Sequence, residues 1–218
     1  MQKKTILAKG YDGIRETLTV KLISSDAETY AGAVRHEIGE GLEATYYAIL
    51  EEDEKGIKTF LITKDILKKF GVSVEQLHED AIKNSIKKEP AEAEGLVDMV
   101  RDFIGEDLEE KTSNTTANTT VLRTKHLFGA KAIAYPGVLK SIAEKTGKDF
   151  YIIPSSIHEV LLMPMNSDIN PDQIREMIHD INSTVLDKED FLSDSLFCYD
   201  REKDRIVKEE TYRAKFLC

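Results

Sequence analysis

Two hydroxyls, an imidazole and a carboxylate fall together in Ser155-Ser156-Ile157-His158-Glu159. A serine hydrolase needs a nucleophile, a base and an orienting acid that converge in space. On a strand, Ser156 and His158 would share one face and Glu159 would take the other. Contact between Ser156 and His158 is therefore allowed, with Asp194 or Asp200 as the orienting acid. The Gly-x-Ser-x-Gly elbow that exposes a nucleophilic serine is missing. Pro154 followed by two serines makes a strand-to-strand turn most simply, its hydroxyls bonding freed backbone groups. A turn, a binding surface and a catalytic pair are the three readings of this stretch.

Other chemistry is harder to build. The histidines are His36, His78, His126, His158 and His179, and none has a second at i+2 to i+5. His36-Glu37-Ile38-Gly39-Glu40 begins like a zincin helix but lacks the second imidazole that a zinc site needs on the same face. The sequence points to no metal and no cofactor. Cys198, between Phe197 and Tyr199, reads as a small buried hydrophobe in a strand. With 40 acidic residues, no particular carboxylate pair stands out. Phosphate-binding loops, dinucleotide fingerprints and kinase signatures are not found.

The elements that must position these residues follow from pattern. Thr17–Ser24 alternates, with Leu18, Val20 and Leu22 on one face, as a strand does. Glu43–Leu50 and Ile57–Ile62 form a hairpin across a charged link ending in Gly56. A short helix starts at Thr63 or Lys64 and stops at Gly71. Ser73-Val74-Glu75-Gln76 is a capping box for a helix running to about Lys87. Pro90 is expected to open another helix, with Leu96, Val97, Val100 and Ile104 on its apolar face.

In the second half, strands are expected near Thr119–Arg123, at Ala130–Tyr135, at Phe150–Ile153 and at Val160–Met163. Pro136 and Gly147 bracket a helix with Leu139, Ile142 and Ala143 inside. Asn170-Pro171 caps a helix carrying Ile174, Met177, Ile178 and Ile181. A turn near 188–192 leads to a last hairpin, Ser195–Tyr199 and Arg205–Val207. The order is not a regular βα alternation. It predicts an α+β fold with a mixed, mostly antiparallel sheet, helices packed on it, and two subdomains. Glu106–Asn118 holds an acidic run and small polar residues, so a linker or mobile loop is expected over 106–118. It separates an N-terminal subdomain, 1–105, from a C-terminal one, 119–218.

Composition bounds the partners. The formal net charge of −10 on 218 residues repels phosphate backbones, which disfavours broad nucleic-acid binding. No apolar run has membrane-spanning length, the first residues lack a signal-peptide core, and two cysteines build no disulfide framework. A cytoplasmic protein is expected.

The run LFGAKAIAYPGVLKSIAEKTGKDFYIIPSSIHEVLLMP, then SDSLFCYDREKDRI, with FLITKDILKKFGVSVEQLHEDAIKN upstream, resembles an uncharacterised bacterial family, domain of unknown function 5688. The resemblance runs from about Tyr46 to Val207 and is weaker over the first 45 residues. It rests on Tyr135-Pro136-Gly137, Pro154-Ser155-Ser156 with His158-Glu159, and Tyr199-Asp200-Arg201, in that order. It implies a cytosolic bacterial protein of a family seen on mobile elements, and it implies no activity. It also favours the motif junctions belonging to one built surface. The ligand- or partner-binding candidates are accordingly Tyr135, Ser155, Ser156, His158, Glu159, Tyr199, Asp200 and Arg201. The function expected is a non-enzymatic module that binds a protein partner or a small ligand. The alternatives are a hydrolase-like enzyme using Ser156 and His158, or an acidic counter-defence or regulatory protein whose face mimics nucleic acid.

Overall fold

The computed structural model describes residues 2–54, 56–104, 118–166 and 169–216. Apart from Asn118, the expected linker over 106–118 lies outside these residues. Contacts divide the chain into two units: Met1–Ile38 with Leu42–Pro90, and Gly39–Gly41 with Ala91–Cys218. The architecture is α+β, as the element order predicts.

The first unit begins with helices α1 (Gln2–Lys9) and α2 (Asp12–Arg15) and carries a four-stranded sheet. Strand β3 (Leu42–Asp53) is its hub and pairs antiparallel with β1 (Leu18–Ser24) and β4 (Gly56–Leu61). It also adjoins β2 (His36–Gly39). Helix α3 (Lys64–Phe70) ends at Gly71 in the left-handed region, φ +69°, where a side chain would be strained. Helix α4 (Val74–Lys88) starts at the predicted cap, where the Ser73 hydroxyl accepts from the Gln76 N–H at 3.1 Å. It covers β1, and the Thr19 and Ser85 hydroxyls lie 3.3 Å apart. Both faces of β1 are therefore buried, although its sequence alternates.

The second unit is built on a six-stranded, wholly antiparallel sheet, in the order β10-β9-β7-β8-β6-β5. Its strands are β5 (Ala91–Gly95), β6 (Thr120–Thr124), β7 (Phe150–Pro154), β8 (Glu159–Pro164), β9 (Phe197–Asp200) and β10 (Arg205–Lys208). The near-continuously apolar strands β7 and β8 are central, and Ile152, Val160 and Leu162 are buried. Helix α5 (Leu96–Ile104) follows β5, and α6 (Val138–Thr146) ends at Gly147. Helix α7 (Pro171–Thr184) begins where the Asn170 side chain accepts from the Asp172 N–H at 3.0 Å. It packs Ile174 and Ile178 on Tyr151, Ile153, Cys198 and Val207. Helix α8 (Glu209–Ala214) follows β10 directly. The Glu40 carboxylate satisfies its first turn, accepting from the Lys208 N–H at 3.1 Å and the Thr211 hydroxyl at 2.7 Å.

Two sequence expectations fail here. Pro90 opens a strand, not a helix. Ala91-Glu-Ala-Glu-Gly95 pairs residue by residue with Thr120–Thr124, and sheet pairing overrides the helix preference of Ala and Glu. Helix α5 starts only at Leu96. Ala130–Tyr135 is not a strand either: Gly129–Ala134 forms a 3-10 turn. Short apolar runs do not separate buried strand from buried helix by period alone. The turn is entered through Phe128, whose φ of +56° is costly for a residue with a side chain.

Candidate functional site

The hairpin between β7 and β8 positions the Ser–Ser–x–His segment. Pro154 ends β7 opposite Val160, leaving residues 155–158 as the loop. The Ser156 N–H donates to the Glu159 carbonyl at 3.2 Å. The buried Ser156 hydroxyl accepts from the His158 backbone N–H at 3.0 Å. Ser156 is thus a turn residue whose oxygen satisfies an amide that the loop would otherwise leave open.

The ring of His158 turns elsewhere. Its Nε2 lies 3.1 Å from Asp190 Oδ1, and the side chain is 51% exposed. The same stretch is tied down a second time, since the Ile157 N–H donates to the Asp190 carbonyl at 2.9 Å. The acid beside His158 is therefore Asp190, not Asp194 or Asp200. Asp194 accepts from the Asn182 amide at 2.8 Å. Asp200 is 1% exposed and faces Lys215, with Arg205 at 4.0 Å. Burial alone would raise its pKa, but the Lys215 ammonium and the Lys203 backbone N–H outweigh it and hold the carboxyl below its ordinary value.

Beneath the turn sits the 3-10 segment. The Ala130 N–H donates to the Ile157 carbonyl at 3.1 Å, and a Cβ on Gly129 would come within 2.0 Å of the His158 carbonyl oxygen. Only a glycine allows this approach. Lys131 is fully buried there and donates to the Leu127 carbonyl at 2.6 Å. On the open side, Glu159 faces Arg123 across the β6–β8 pair at 3.8 Å, and Arg123 reaches Glu94 on β5 at 3.6 Å. This is a cross-strand charge ladder.

The eight candidate residues do not form one surface. Tyr199 pairs with Phe150, at the start of β7, and stacks on it at 5.2 Å. The Arg201 N–H donates to Asp149 at 3.3 Å. The Tyr199–Arg201 cluster therefore lies about 20 Å from Ser155, at the other end of the strand. It is a structural network: Tyr199 donates to Asp204 at 2.5 Å, and Tyr212 donates to Asp149. Burial, then the bond to Asp204, pushes the Tyr199 phenol well above its ordinary value. Tyr135 is buried where the 3-10 segment ends. His158 and Arg201 stay exposed, with Ser155 and Glu159 half-buried. Burial raises the Cys198 thiol, which suits a core residue and not a nucleophile.

A histidine pair in the first unit has no sequence spacing to announce it. His36 on β2 stacks on His78 on α4, centroids 4.0 Å apart at 18°. Tyr46 Oη lies 3.0 Å from His78 Nδ1. Burial, helped by His36, lowers the His78 pKa to about 4. Among the described residues, no group of three or more His, Cys, Asp or Glu is placed to hold a metal ion.

The matching family model spans residues 2–201, which takes in Tyr135-Pro136-Gly137, Pro154-Ser155-Ser156 with His158-Glu159, and Tyr199-Asp200-Arg201. The chain belongs to a family of unknown function, DUF5688. The match takes in residues 2–45, so β1 and β2 of this chain lie inside it along with the later hairpin. No curated protein and no solved structure matches the chain. Among the described residues no helix is long and apolar enough to cross a membrane.

Proposed function

We propose that this DUF5688 protein is a cytoplasmic bacterial binding module, not an enzyme, and that it recognises a protein partner or a small ligand. The observation that supports this is the use of Ser156. Its oxygen accepts a backbone N–H while the neighbouring imidazole pairs with Asp190, an arrangement that suits a hydrogen-bonded turn better than a nucleophile–base contact. What the turn presents outward is His158 with Asp190, and Glu159 within the Arg123–Glu94 ladder. These groups suit polar recognition. The net charge of −10 argues against a nucleic-acid backbone as the partner.

The test is a turnover screen. Wild type, Ser156→Ala and His158→Ala are assayed against generic acyl and phosphoryl esters, with folding followed by circular dichroism. The expected result is no turnover by any of the three. Wild-type activity lost in both folded variants would overturn the proposal and make the pair catalytic.

A further inference from the structure

Helix α7 carries more apolar surface than the sheet covers. Ile174 and Ile178 are buried, but Met177 and Ile181 are 40% and 42% exposed, and Val185 is 78% exposed. These three follow at i, i+4 and i+8, which puts them on one face. The relation holds past the helix end because the Val185 N–H donates to the Ile181 carbonyl at 2.9 Å. Phe191, 40% exposed, follows in the next loop. That loop is pinned back by Asn182, which donates to the Ser193 carbonyl at 3.1 Å, and by Asp190, which holds the 155–158 turn. Glu176 and Asp180 precede Met177 and Ile181 by one residue each and so flank the stripe on the helix, and Asp187, Glu189 and Asp190 follow in the loop. The nearby basic residues are Lys188, His179 and Arg175, the last paired with Asp172 and Glu209.

We propose that this face docks an amphipathic helix from another protein, one whose apolar stripe is flanked by Lys or Arg. The inference rests on the binding-module reading and names the partner's chemistry. Apolar residues at helical spacing match a helix laid alongside them, and the carboxylate rim selects cationic flanks. A second copy of this chain is disfavoured, because self-association would set the acidic rims against each other. The continuity through Asp190 makes the stripe and the His158 turn parts of one surface.

The experiment uses the full chain and two fluorescent helical probes of about 18 residues, one Leu/Lys and one Leu/Glu, read by anisotropy. The Leu/Lys probe is expected to bind, at least about tenfold tighter than the Leu/Glu probe, and to weaken as salt shortens the Debye length. Ile181→Ser with Val185→Ser should weaken it about tenfold or more. Asp180→Lys with Asp187→Lys, which leaves the stripe untouched, should do the same. Glu51→Lys with Glu52→Lys, the same charge change on the β3–β4 hairpin, should leave it within about twofold. Four outcomes overturn the proposal: no binding of the Leu/Lys probe; equal loss from the hairpin pair; stripe and rim variants that bind like wild type; or sedimentation showing self-association that Ile181→Ser abolishes. Failure of the binding-module reading is separate, since it appears as turnover lost with Ser156 and His158. Full probe binding by His158→Ala and Asp190→Asn would support the docking face while detaching it from the turn.

Discussion

Ser156 and His78 show how one side chain's role depends on what surrounds it. Ser156 serves one backbone amide, so Ser156→Ala should cost about 0.5–1.5 kcal/mol in urea denaturation, the net value of one hydrogen bond. An unchanged midpoint would remove the turn role. His78 makes a pH prediction. Its pKa is lowered to about 4 by burial and by His36, so the unfolded chain takes up the proton first as pH falls. The stability it contributes is full above the ordinary histidine range and is lost between about 6.5 and 4. The ring is half-buried, so the loss, discounted for solvent screening, should be about 1 kcal/mol. Denaturation midpoints across that range should slope less in His78→Gln; equal slopes would sink the idea.

The elements are held at their junctions. The 3-10 segment meets the β7–β8 loop through Gly129, where an added methyl would strike a carbonyl oxygen. Gly129→Ala should therefore cost about 1–3 kcal/mol or more, because backbone on both sides must shift. A melting temperature matching wild type would mean that the loop moves aside freely. The cap of α4 is more forgiving. Ser73→Ala should lose about 1 kcal/mol, and Ser73→Asp should recover it.

At the scale of the whole sheet, β7 and β8 lie between the other strands. Leu162 is 1% exposed on β8, paired with Ile152 on one side and Thr120 on the other. Leu162→Ala should cost about 2–5 kcal/mol by transfer and cavity terms. A loss below about 1 kcal/mol would place β8 at an edge.

Local chemistry was enough for the parts of this protein that depend on near neighbours. The Ser73 and Asn170 caps, the Gly71 and Gly147 stops, and the apolar runs of β7 and β8 follow from residues within a turn or a strand of one another. Family membership, too, was legible from motif order. Long-range pairing decided the rest. Ala91–Gly95 became a strand because β6 offered it an edge, and Ala130–Ala134 coiled because Gly129 let it close on the turn. His158 found Asp190, 32 residues away, and His36 found His78, through antiparallel and helix-on-sheet contacts that no spacing encodes. The same register carried Tyr199–Arg201 to the far end of β7, because antiparallel strands set neighbours by pairing and not by order of motif.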